Sequence, residues 1–175
     1  MHTVDSLIHE VLRREGGYVD HPDDTGGATN HGISLRYIRG IGFDPNGDGV
    51  IDARDIKIIG PETAAELYRQ EFFMAPRIYR LPEPLQAQVF DMAVNMGPPR
   101  AIMLLQEMVG TEPDGVIGPR TISRAARYIE QRGPSQANNE LAKHRIDFYR
   151  RLAERRPSQQ AFLKGWISRS QEFVT

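Results

Sequence analysis

The side chains best suited to chemistry crowd into twenty positions of the 175-residue chain. The run from Glu15 to Ser34 reads EGGYVDHPDDTGGATNHGIS, with one glutamate, three aspartates, a tyrosine, two threonines and an asparagine set among two Gly-Gly pairs. Val4, Leu7, Ile8, Val11 and Leu12 lead into it at helical spacing, which predicts an amphipathic helix over about 3–15. Gly16-Gly17 would end that helix, because glycine accepts the left-handed conformation of a C-terminus. Glu15 then sits in the last turn, where the helix dipole disfavours a carboxylate, so its pKa is expected to be raised. A carboxyl kept protonated near neutral pH is what a general acid requires. Asp24, nine residues on, lies in a polar loop where a carboxylate stays ionised, and Thr29 follows beside Asn30. Cleavage of a glycosidic bond needs one protonated carboxyl for the leaving oxygen. It also needs one carboxylate to activate water or to stabilise an oxocarbenium-like transition state. Glu15, Asp24 and Thr29 supply those types, with Asp20 and Asp23 close competitors of Asp24. Acid-rich glycine loops are more often plain solvated turns, but a pattern sustained over twenty residues is far more specific than a lone EGG.

The whole pattern resembles the signature of glycoside hydrolase family 108, which comprises phage endolysins and secretion-activating proteins. The resemblance implies a mainly α-helical, lysozyme-like single domain with a small irregular or β-containing lobe at about 15–60. It also implies an N-acetylmuramidase that cuts the β-1,4 bond between N-acetylmuramic acid and N-acetylglucosamine of peptidoglycan. Carried over, Glu15 is the catalytic acid, Asp24 the water-activating or charge-stabilising carboxylate, and Thr29 the residue that orients the water. Tyr18, Asn30 and Asn95 are expected to contact the sugar. A lytic transglycosylase, or a non-enzymatic calcium-dependent wall-binding or secretion-accessory protein, are the alternatives.

A second motif, DPNGDGVIDARD over Asp44 to Asp55, matches the ligand positions of an EF-hand loop. Asp44, Asn46, Asp48, the Val50 carbonyl, Asp52 and Asp55 fall at positions 1, 3, 5, 7, 9 and 12, with Gly49 at the sharp turn of position 6. Asp55 replaces the usual Glu, as in the dockerin loops that this one also resembles. The expectation is a structural calcium ion that pins a loop beside the active site and takes no part in the chemistry. A turn-rich hairpin tip is the plainer reading of Asn-Gly and Asp-Gly.

Bulk properties narrow the classes. The net charge is -1, which argues against a dedicated nucleic-acid binder. Residues 1–60 hold ten Asp/Glu against six Lys/Arg, while residues 131–175 hold nine Lys/Arg against four Asp/Glu. The basic end could face anionic wall polymer or lipid headgroups, though a solvated helix face is the ordinary reading. There are no cysteines, so disulfides are excluded. No stretch approaches the roughly eighteen apolar residues of a membrane span, and the N-terminus lacks the pattern of a signal peptide. The expectation is a monomer made in the bacterial cytoplasm and released to the periplasm by a holin-type or other route.

The elements that must position these residues follow from periodicity and punctuation. Leu35 to Phe43 reads as a brief helix ended by Gly40, or as a strand-like connection. Pro61 opens a helix through Phe73. LPEPLQAQVFDMAVNMG is the next, with Leu85, Val89, Met92, Ala93 and Met96 on its buried stripe. It resembles the family's central helix with its DxxxN ending, where Asp91 and Asn95 share a face and either bond each other or leave Asn95 to the sugar. Residues 98–110 form a further helix. TEPDGVIGPRT, from Thr111 to Thr121, is a glycine turn with Pro119 placed to open the helix over 121–131. Gly-Pro-Ser-Gln at 133–136 reads as a breaker before a long helix over 137–155. A last helix over 159–173 carries Trp166, the only tryptophan, which on an apolar stripe is ordinarily core. Phe162, Gly165, Trp166 and Arg169 extend the family resemblance to this end. The chain is thus expected as a catalytic part over 1–90 and a helical peptidoglycan-associated part over 91–175.

Overall fold

The computed structural model describes residues 2–15, 17–19 and 27–175, with the side chains of residues 14 and 15 left undescribed. Helices dominate, and the chain packs as two units, Asp5–Gln70 on one side and Met1–Val4 with Glu71–Thr175 on the other.

The first unit begins with α1 (Val4–Glu15). Leu7, Ile8, Val11 and Leu12 are buried, as the 3.6-residue spacing predicts. Two short strands follow, β1 (Thr29–Asn30) and β2 (Ile33–Ser34), paired antiparallel with Thr29 opposite Ser34. Their two-residue turn is His31-Gly32, with φ of 49° and 78°. Two successive left-handed residues are the signature of the turn whose twist matches a hairpin, and glycine at the second of them avoids the Cβ clash. Val19 adds an isolated antiparallel bridge to Thr29, so this is the small β-containing lobe. Helix α2 (Leu35–Ile41) is capped by the Ser34 hydroxyl, which accepts from the Tyr37 amide. It ends at Gly42, with φ of 66°, two residues beyond the stop anticipated at Gly40. Gly40 continues the helix because a single interior glycine lowers helix propensity by only about 1 kcal/mol. Helices α3 (Ala53–Ile58) and α4 (Pro61–Arg69) close the unit.

The second unit opens with a π-helical turn completing Gln70–Met74 and a 3₁₀ turn at Ile78–Arg80. Helix α5 (Glu83–Met96) is its axis. Leu85, Val89, Phe90, Met92 and Ala93 are fully buried, and α5 packs on both α6 (Pro98–Val109) and α8 (Pro134–Arg155). Helix α7 (Pro119–Arg132) lies against α6 and α8, and α9 (Gln160–Gln171) against α8. The break expected over 133–136 is present but confined to Gly133, with φ of 80°, between α7 and α8. Pro134 is the first residue of α8, where a missing N–H is harmless and a fixed φ suits the helix. Pro98 and Pro119 open α6 and α7 in the same manner.

Candidate functional site

Glu15 is the final residue of α1, in the last turn where the helical spacing places it. Its side chain, and all of Gly16 and Asp20 to Gly26, lie outside the described residues. The expectations for Asp24 and its competitors Asp20 and Asp23 therefore fall there too. Thr29 is half-buried in β1 and is fixed by two backbone bonds to Val19, of 2.8 and 2.7 Å. Tyr18 is exposed, with the Lys57 ammonium 5.4 Å from its ring centre.

Asn30, expected at the sugar, pins this hairpin to α3. It is buried, and its amide nitrogen donates to the carbonyls of Ile56 (3.1 Å) and Ile59 (3.0 Å). Both donors are thus spent on carbonyls at the C-terminal end of α3, where a helix runs short of backbone donors. The sequence offered no sign of this, because the partners lie 26 and 29 residues away.

The loop from Asp44 to Asp55 wraps its carboxylates around its own amides. Asp44 accepts from Gly47 (2.9 Å) and Gly49 (2.8 Å), Asn46 from Asp48 (2.8 Å), and Asp48 from Val50 (2.9 Å). Asp55, fully buried, accepts from Asn46 (3.3 Å) and Asp52 (2.9 Å) and completes a capping box with Asp52 at the start of α3. Gly47 and Gly49 have φ of 72° and 83°, as the turn demands. The donors are all oxygen and suit a hard cation. In this conformation a protein cation sits among them. The Arg54 guanidinium lies 3.0 Å from both Asp48 and Asp52, and it holds the Asp52 carboxyl below its usual range. Among the described residues no group of three or more His, Asp or Glu side chains is gathered to hold a metal ion.

In the second unit, Asp91 and Asn95 do not bond each other. Asp91, 2% exposed, takes the Arg145 guanidinium at 2.7 Å on one oxygen and that of Arg169 at 2.6 Å on the other. Arg145 is completely buried on α8. Its Nε donates to the Tyr149 hydroxyl (3.3 Å), which in turn donates to the Asn95 side-chain oxygen. Burial pushes the Tyr149 phenol up from its ordinary value, so it stays a donor at neutral pH. Asn95 remains exposed, with its orientation set from within by this chain of groups. Trp166 is not core. It is half-buried and stacks on Tyr149 at 4.8 Å.

The TEPDGVIGPRT turn is organised by Gln106, 1% exposed on α6. Its amide donates to Asp114 (2.7 Å), the Val116 carbonyl (3.0 Å) and the Thr121 hydroxyl (3.0 Å), and its oxygen accepts from Gly115 (2.9 Å). A Cβ at Gly115 would stand 3.2 Å from the Pro99 carbonyl, and φ there is 76°, so only glycine fits.

The family Glycosyl hydrolase 108 matches residues 8–97, and the Predicted Peptidoglycan domain matches residues 100–171. The chain belongs to glycoside hydrolase family 108. The solved structure of Brucella abortus SagA is similar to it, with 32% identity and a TM-score of 0.71 over 95% of this chain and 88% of that one. No curated protein matches it. Within this family 108 chain, Glu15, Tyr18, Thr29, the Asp44–Asp55 loop and Asn95 all fall in the catalytic match. The Asp91 network crosses the seam, since Arg145 and Arg169 belong to the peptidoglycan-domain match. That ties α5, the last helix of the first match, to α8 and α9 of the second.

Proposed function

We propose that the protein is a peptidoglycan hydrolase that cleaves the β-1,4 bond between N-acetylmuramic acid and N-acetylglucosamine, and so lyses bacterial cells. The observation that carries this reading is membership of family 108 together with a glutamate as the last residue of α1. In this reading Glu15 protonates the glycosidic oxygen as the bond breaks. Asp24 activates the water or stabilises the cationic sugar, and Thr29 orients that water from its anchored place in β1. Tyr18 offers an exposed ring to the sugar, and Asn95 offers an amide. Asn30 serves as a positioning residue, holding Thr29's hairpin against α3. The Asp44–Asp55 loop is proposed to take a structural calcium ion through Asp44, Asn46, Asp48, the Val50 carbonyl, Asp52 and Asp55. That ion would replace Arg54 as the partner of Asp48 and Asp52.

Mass spectrometry of products from purified sacculi tests the bond cleaved. Fragments ending in reducing muramic acid are expected. Ends of 1,6-anhydro-muramic acid would instead make the protein a transglycosylase, and no soluble fragments, with or without calcium, would leave only a binding role.

A further inference from the structure

A groove of about 680 Å³ opens in the second unit among α6, α8 and α9. Its volume is that of a site for a small ligand, and two kinds of side chain build it. One wall is aromatic. Phe148, Tyr149 and Trp166 line it; Trp166 stacks on Tyr149 with planes 22° apart, and Phe162, beyond the lining, stacks on Trp166 at 5.8 Å and 29°. Phe162 is 55% exposed. The other lining is cationic: Arg100, Arg151, Arg155 and Arg156 face a single acid, Glu107. All four arginines are exposed. Among the described residues Arg151, Arg155 and Arg156 form no ion pair, whereas their neighbour Arg150 is paired with Asp147. Behind the aromatic wall, Arg145 and Arg169 both pair with Asp91.

Surface arginines are ordinarily solvated, and unpaired ones on a helix are not by themselves a site. Here they ring a concave space whose floor is held in place. Tyr149 is 1% exposed and locked by Arg145 and Asn95, so the place of Trp166 in the lining is fixed before any ligand arrives. A ligand that fits must present an apolar ring face to Trp166 and carboxylates to the arginines, whose planar forks pair with carboxylate through two parallel bonds. A neutral glycan has no group for the arginines, and a free peptide has no ring face of that kind. A muramyl sugar carrying its acidic stem peptide has both.

We propose that this groove binds the peptide-bearing muramyl unit of peptidoglycan, with Trp166 against the sugar and Arg151, Arg155 and Arg156 on the stem-peptide carboxylates. The proposal rests on peptidoglycan being the substrate and adds a second contact that selects peptide-bearing strands over bare glycan.

Trp166 is the only tryptophan, so the full-length protein reports on the groove through its own emission. The probe is N-acetylglucosaminyl-N-acetylmuramyl-tetrapeptide, titrated by fluorescence and in parallel by calorimetry. The peptide-free disaccharide, inorganic phosphate and phosphatidylglycerol vesicles serve as competitors. The expected result is saturable binding about tenfold tighter than that of the peptide-free disaccharide, weakened by salt. Arg151→Gln with Arg155→Gln should raise Kd about tenfold, while Arg120→Gln with Arg124→Gln, on the exposed side of α7, should leave it unchanged. Circular dichroism melts confirm that both variants fold. Equal affinity for the peptide-free disaccharide, no heat and no emission change, an unaffected Arg151/Arg155 variant, or equal binding of phosphate or vesicles would each overturn the proposal. Reducing-end release from sacculi separates the two readings. Cleavage without muropeptide binding removes the groove and keeps the hydrolase, whereas binding without cleavage does the reverse.

Discussion

Asp91 is a buried carboxylate held by two arginines, and its surroundings decide what its removal would do. A buried pair contributes little beyond an apolar replacement, but deleting one partner leaves the other charge uncompensated. Asp91→Ala strands Arg145, which is fully buried, and is expected to lower stability by about 3–5 kcal/mol, read by urea unfolding. Arg169→Ala should lower it by less, because Arg169 is partly exposed and Arg145 keeps the carboxylate satisfied. A loss as small for Asp91→Ala as for Arg169→Ala would contradict this account of the network. Little of it was legible in the sequence. Asp91 and Asn95 stood out as a spaced pair, but their partners lie on α8 and α9, 54 to 78 residues away. Arg145 had no signal of its own, since a charged residue on a polar helix reads as solvated. Trp166 read as core because periodicity gives the face of a helix and not how far its neighbours cover it.

Among the elements, turns and loops carry the chemistry that pH and ions can probe. Asp114 accepts from the Val116 amide and from Gln106, and these bonds hold its carboxyl below the ordinary range. A depressed folded pKa stabilises the protein fully above the unfolded value of about 4, and that contribution disappears as pH falls through the lower folded value. Melting temperatures at about pH 5 and pH 3 should therefore fall further for wild type than for Asp114→Asn, whose amide does not titrate. An equal fall in both would remove Asp114 as a contributor. For the Asp44–Asp55 loop, calcium should raise the melting temperature, with a stability gain of about 3 kcal/mol at a hundredfold excess over Kd, and a chelator should reverse it. Arg54→Ala removes the competing cation and should tighten calcium binding. No response to calcium in either protein would leave the loop closed on Arg54 alone. The glycine turns of this loop and the helical stripes were readable. Pro134 was misjudged because Gly-Pro marks a helix start as readily as a break, and the outcome depends on which side packs.

At the scale of the whole molecule, packing divides the chain after Gln70, whereas the family matches meet between residues 97 and 100. Helix α5 therefore belongs to the catalytic family by sequence and to the C-terminal helices by packing. The mainly helical class, the small β-containing lobe and the family were legible because they rest on long periodic helices and a twenty-residue signature. The central claim is that Glu15, at the end of α1, is the acid of a glycoside hydrolase. The direct measurement is the rate of reducing-end release from sacculi by wild type and by Glu15→Gln, a change that keeps the shape and removes the proton. The account predicts a loss of about 10² to 10⁴ with an unchanged melting temperature. A variant that releases reducing ends at the wild-type rate would contradict it.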